Sequence, residues 1–122
     1  MASFASALGD TAIDVFVNNA GVYGPRNANF GSVASGDWEA VLKTNAISPM
    51  LLTQLIIGNL RSGNVKKLVY VTSKMGSIDD NHGGGSYIYR ASKAAQNQFI
   101  RTFAVEARRR APGEHRGDAR RA

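Results

Sequence analysis

With 122 residues, 43% of them hydrophobic and 20% charged, the chain has material for one modest core and the composition of a globular α/β domain, not of a fibrous or disordered polymer. Cysteine is absent, which excludes disulfides and thiolate metal sites, and the two histidines, His82 and His115, lack carboxylates at ligand spacing, so no metal is expected. The net charge of +6 is uneven: residues 1–100 hold eight Lys and Arg against six acids, residues 101–122 seven against three, so the body is nearly neutral and the charge alone does not argue for nucleic acid.

In chain order, residues 2–8 read as a helix stopped by Gly9 and Asp10. The run Ile13-Asp14-Val15-Phe16-Val17 is short, apolar and β-branched, as a buried parallel strand requires. It opens into Asn18-Asn19-Ala20-Gly21 and then a loop over residues 22–36, rich in Gly and Asn. Ser35 or Asp37 is placed to cap a helix over residues 38–59, with Trp38, Val41, Leu42, Asn45 and Leu52 along one stripe. A second buried-type strand follows at residues 67–72, then a glycine-rich loop at 77–86 and a last helix at 87–107. Strands alternating with crossover helices predict a doubly wound parallel α/β sheet. Two strands do not complete such a sheet, so the fold is expected as an incomplete fragment beginning in mid-helix.

No basic start leads into an apolar run at Met1-Ala2-Ser3-Phe4, so no secretory signal is expected. The most apolar stretch, residues 47–57, is interrupted by Ser48, Pro49, Thr53 and Gln54 and is too short to span a bilayer. The expected location is the cytoplasm. Beyond Val105 no large apolar residue remains, so no further buried strand is expected there. Residues 108–122 read as a basic, disordered tail, with the abrupt composition of a shifted reading frame in a GC-rich gene. That tail has no aromatic side chain to stack on bases and no apolar helix face for lipid, so neither nucleic acid nor membrane is an expected partner.

Tyr89-Arg90-Ala91-Ser92-Lys93 carries the strongest chemical signal. Residues i and i+4 lie on one helix face, and a lysine ammonium held there would bring a phenol of pKa about 10 toward the working range of an acid-base catalyst. By itself the spacing is common, and a half-buried Tyr beside a snorkelling Lys is the ordinary explanation. Ser73, just after the second strand, stands at the carboxyl end of the sheet, where α/β folds place functional groups, although a serine there also serves as a turn cap. Asn45 lies four residues before Pro49, which has no N–H for the carbonyl of residue 45; a buried free carbonyl attracts a water.

Taken together, Asn18-Asn19-Ala20-Gly21 after a strand, Asn45 in a helix, Ser73 after the next strand and Tyr89 with Lys93 resemble the short-chain dehydrogenase/reductase family, nearest its C-factor and sniffer-type carbonyl reductase branch. The resemblance implies a Rossmann-like fold, with residues 1–107 as the central, catalytic part of the domain and 108–122 as the tail. It implies NAD or NADP as cofactor, a small carbonyl or alcohol as substrate, and assembly into a homo-oligomer through the two long helices. In its terms Tyr89 is the general acid/base, Lys93 assists it and binds the nicotinamide ribose, Ser73 orients the carbonyl and Asn45 anchors a water. Asn18, Ala20 and Gly21, with Tyr89 and Lys93, border the cofactor. The glycine-rich phosphate turn of the family has no counterpart in this sequence, since Gly83-Gly84-Gly85 follows the wrong element. The chain as it stands is therefore expected to show no dehydrogenase turnover. The competing expectation is a non-enzymatic interaction or signalling protein that keeps the centre of the fold.

Overall fold

The computed structural model describes residues 2–109 and 118–121. Helix α1 (Ala2–Leu8) ends at Gly9, whose φ of +55° suits a residue without a Cβ. Strand β1 (Val15–Asn18) pairs in parallel with β2 (Lys67–Tyr70), Val15 opposite Lys67 and Asn18 opposite Tyr70. The crossover between them is a continuous helical run made of α2 (Ser35–Leu42), a π-helical turn (Lys43–Ile47) and α3 (Ser48–Arg61). A short 3-10 turn (Lys74–Gly76) follows β2, and α4 (Tyr87–Arg108) closes the unit.

The cap expected for α2 is corrected by the structure. Neither Ser35 nor Asp37 caps α2: Ala34 is the N-cap, without a side-chain cap hydrogen bond, and its carbonyl accepts from the Trp38 N–H at 3.1 Å. In the expected tail, β3 (Asp118–Arg121) pairs in parallel with β2, Lys67 opposite Asp118, giving the order β1-β2-β3. A ladder is made by backbone groups, so a segment without large apolar side chains can still add to a sheet edge. Residues 110–117 and 122 of the expected tail lie outside the described residues.

The core forms on one sheet face. Leu68 and Tyr70 of β2 pack with Ile56 and Leu60 of α3 and Ile100 of α4, all essentially inaccessible, with Phe16, Leu52, Phe99 and Phe103 around them. Tyr70 is the largest fully buried side chain, and its burial is made tolerable by a hydroxyl contact to Thr53 Oγ1 at 2.5 Å. Because Thr53 donates its own proton to the Pro49 carbonyl, Tyr70 must be the donor in that contact. Burial raises the Tyr70 phenol above its ordinary pKa, against a smaller opposing effect of Thr53. On the other face Val15 and Val17 are exposed, as pleat alternation dictates for a strand covered on one side only.

The run Ser35–Arg61 is long and apolar enough, by length and composition, to cross a membrane. Its buried line, Val41, Asn45, Ala46, Pro49, Thr53, Ile56 and Leu60, faces the core, and two of those residues are polar and hydrogen-bonded within the fold. That is how the central helix of a globular domain is built. Trp38, expected on the buried stripe, is 37% exposed.

Candidate active site

The π turn places Asn45. Pro49 cannot supply the N–H that an α-helix would offer to the carbonyl of residue 45, and the ladder widens just before it, with the Ser48 N–H reaching back five residues to the Lys43 carbonyl. The widened turn carries Asn45 fully buried under the loop after β1. There its Oδ1 accepts from the Val22 N–H at 2.8 Å, and its Nδ2 donates to the Val22 carbonyl at 2.8 Å and to Ser92 Oγ at 2.9 Å. Asn45 thus joins the loop to α4 through its side chain, a role the sequence reading, which concerned its backbone carbonyl, did not include.

Helix α4 has an unusual buried face. Ile88 and Ile100 are conventional, but Ser92, Lys93 and Gln96 between them are also buried. A buried lysine with a neutral partner is costly, and such residues cluster where chemistry is done. Lys93 Nζ donates to Gln96 Oε1 at 3.2 Å and lies 5.8 Å from the centre of the Tyr89 ring, within cation–π range. Burial lowers the Lys93 ammonium below the usual lysine pKa of 10.5. Gly21 borders the same space: a Cβ there would stand 3.3 Å from Lys93 Nζ and 3.6 Å from Asn45 Oδ1. The structure therefore brings Gly21, Asn45 and Lys93 together, and joins Ser92 and Gln96 to them.

Tyr89 is half-buried in the first turn of α4, its ring stacked on Tyr23 with centroids 4.7 Å apart. Ser73 is the N-cap of the 3-10 turn, accepting from the Met75 N–H at 3.2 Å. This turn leans on α4 so closely that a Cβ on Gly76 would stand 3.0 Å from the Lys93 Cβ. Among the described residues no hydrogen bond joins Ser73 to Tyr89. Asn18 is buried at the end of β1; its carbonyl accepts from the Val71 N–H at 3.0 Å, tying the strand ends, while its Nδ2 has no partner among the described residues. Ala20 is exposed on the loop. Among residues 2–109 no cluster of three or more His, Cys, Asp or Glu could hold a metal ion.

These features suit the sugar and nicotinamide end of a dinucleotide. Lys93 has ammonium protons beyond the one given to Gln96, the Asn18 amide is an orphaned donor, and the glycine at position 21 keeps side-chain bulk away from both Lys93 and Asn45. Sequence reasoning did not single out Tyr23, Ser92 or Gln96. Ser92 and Gln96 carried a readable signal, since polar residues three and four apart flank Lys93 on a face otherwise used for packing.

The buried ammonium has a measurable consequence. The unfolded chain holds the Lys93 proton more tightly than the folded one, so this group's contribution to stability should rise as pH climbs through its lowered folded pKa toward 10.5. Replacing Lys93 by Met together with Gln96 by Leu removes the charge and its acceptor. That pair is expected to stabilise the fold by about 1–2 kcal/mol at neutral pH and to flatten this alkaline rise, as read by urea unfolding at several pH values. A destabilised double variant would count against a buried, costly ammonium.

Comparison with known proteins agrees with this architecture. The family model for short chain dehydrogenase matches residues 2–111, and the chain belongs to that family. Over 108 residues it is 38% identical to the C-signal protein of Myxococcus xanthus, covering 88% of this chain and 64% of that one. A carbonyl reductase from Pseudomonas aeruginosa PAO1 in complex with NADP superposes with a TM-score of 0.73 at 29% identity, covering 86% of this chain and 45% of that one. The carbonyl reductase Sniffer of D. melanogaster gives 0.74 at 26% identity, covering 88% and 47%. The chain thus spans less than two thirds of the length of these relatives.

Proposed function

We propose that the chain carries the catalytic half of an NAD(P)-dependent carbonyl reductase or alcohol dehydrogenase, acting on a small ketone, aldehyde or alcohol in the cytoplasm. The observation that carries this reading is the buried polar cluster of Asn45, Ser92, Lys93 and Gln96 directly behind Tyr89. The nicotinamide, when bound, supplies or accepts the hydride. The protein's own part is the proton. Tyr89 gives its phenolic proton to the carbonyl oxygen as the alcohol forms, and Lys93 offsets the negative charge that develops on the phenol oxygen. Ser73 Oγ accepts from the Met75 N–H, which leaves its O–H proton to hold the carbonyl oxygen. Lys93 and Asn18 would offer donors to the nicotinamide riboside, and Gly21 and Ala20 would border it. The Asn45 carbonyl, lacking its α-helical donor, would hold a water on the path that returns the proton. NADP in the P. aeruginosa structure supports a nicotinamide dinucleotide as cofactor.

The test uses the 122-residue chain and the same chain extended upstream by a glycine-rich strand–turn–helix segment. Reduction of a simple aldehyde or dicarbonyl by NADPH or NADH is expected from the extended chain only, and Tyr89→Phe should cut it by about 10²–10⁴-fold without unfolding the protein. Turnover indifferent to Tyr89 would refute the assignment. Similarity to the C-signal protein favours one other reading, a signalling protein that does not turn over substrate. Absence of nicotinamide fluorescence change with either dinucleotide, in both chains, would select it.

Self-association belongs to the same proposal. Between α3 and α4 runs a groove of about 600 Å³ with Met50, Ile57, Phe99 and Phe103 on its walls, and Leu51 and Leu55 are exposed on the same helix. A second copy of the chain, packing its long helices there, is expected to give dimers or larger species in sedimentation at micromolar concentration. A stable folded monomer at that concentration would count against it.

A further inference from the structure

We propose that Tyr23 is the positioning residue for the Tyr89 phenol, holding it through a ring stack and through a hydroxyl bond to the turn that starts α4. The proposal rests on the reading of Tyr89 as proton donor. Tyr89 sits in the first turn of a helix, where backbone hydrogen bonds are fewest, and among the described residues its hydroxyl has no hydrogen-bond partner. A phenol so placed would sample several rotamers unless its ring were held. The parallel stack on Tyr23, with 19° between the planes, supplies the hold.

Tyr23 is itself fixed from three directions. The Tyr23 hydroxyl bonds to Ser86 Oγ, 63 residues away in sequence. The Arg26 guanidinium lies over its ring, 4.5 Å from the centroid. Its chain neighbour Val22 is clamped by Asn45 at both N–H and C=O. The far end of the link is a tense one: Gly84, Gly85 and Ser86 are successive left-handed residues, with φ of +68°, +70° and +51°, and the last is not glycine. Such a backbone persists when its surroundings over-determine it. Here the Arg90 Nε donates to the Gly85 carbonyl at 3.0 Å, the Arg90 N–H donates to the Ser86 carbonyl at 2.9 Å, and Tyr23 holds the Ser86 side chain. Tyr23 therefore couples the loop above the Lys93 pocket to both the ring that reacts and the turn that aims it.

The test is nuclear magnetic resonance of the chain labelled with ¹³C-tyrosine, with the Tyr89 signals assigned by their loss in Tyr89→Phe. The Tyr89 ring protons are expected upfield of free tyrosine, from the ring current of Tyr23, and to move back toward the free position in Tyr23→Leu. Tyr23→Phe and Ser86→Ala each delete one end of the same hydroxyl bond while keeping the stack. They should therefore produce the same broadening of the Tyr89 signals as the ring gains rotamers, and they decide the matter if Tyr23→Leu does not fold. Tyr89 signals already at the free position in the parent chain would overturn the proposal, as would signals unchanged in both hydroxyl variants or changed differently by the two. None of these readouts depends on turnover, so failure of the proton-donor reading, seen as activity insensitive to Tyr89→Phe in the extended chain, stays distinguishable.

Discussion

Replacing Gly63 by alanine is expected to destabilise the fold by about 3 kcal/mol or more, a large share of the roughly 5–15 kcal/mol that holds a domain together. A Cβ at this position would stand 2.0 Å from the Ile13 carbonyl oxygen and 2.6 Å from its carbon. Both are backbone atoms, so no side-chain rotamer relieves the overlap. Nor can the two segments separate cheaply. The Ile13 N–H donates to the Asn59 carbonyl at 2.9 Å, Asp14 Oδ1 accepts from the Asn64 N–H at 2.6 Å, and the Asp14 carbonyl accepts from the Lys67 N–H at 2.8 Å at the start of the β1–β2 ladder. Moving residues 62–65 away from Ile13 therefore strains the end of α3, the Asp14 turn and the sheet together. Urea unfolding should show a lower midpoint with an unchanged slope. A midpoint equal to that of the parent chain would mean that the two segments are not in van der Waals contact.

Asn45→Ala should cost about 2–4 kcal/mol and free the loop after β1. Asn45 is fully buried and satisfies three groups: both polar backbone groups of Val22, and Ser92 Oγ. Val22 is 45% exposed, so water can replace part of what alanine removes, whereas Ser92 is buried and keeps only its bond to the Tyr89 carbonyl. The loss is thus smaller than three buried orphans would give but larger than a surface deletion. Hydrogen exchange of the Val22 amide is the specific readout, expected to go from protected to fast while the amides of β2 stay protected. Retained protection at Val22 would show that the loop is held by something other than Asn45.

The alternation of strands and helices was legible because hydrophobic period is a local property: Val15-Phe16-Val17 and Leu68-Val69-Tyr70 announce strands, and the amphipathic run from Tyr87 announces α4. Tyr89 and Lys93 were legible for the same reason, since helix spacing alone puts them on one face. The burial of Lys93, the partners of Asn45 and the placement of Gly21 beside both were decided by contacts between residues 23 to 72 positions apart, which no local pattern encodes. Ser35 illustrates the opposite error: its residue type favours a cap, but the chain enters the helix one residue earlier, at Ala34. At the tail, side-chain composition argued against a buried strand and carried no signal for the pairing of Asp118–Arg121 with β2, which uses backbone groups common to all sequences. By itself the sequence determined the family, the parallel α/β plan and the Tyr89–Lys93 pair, because these rest on residue type and short spacing. Only the tertiary structure decided which side chains are desolvated and what grips the Tyr89 ring, because burial and stacking depend on how distant segments meet.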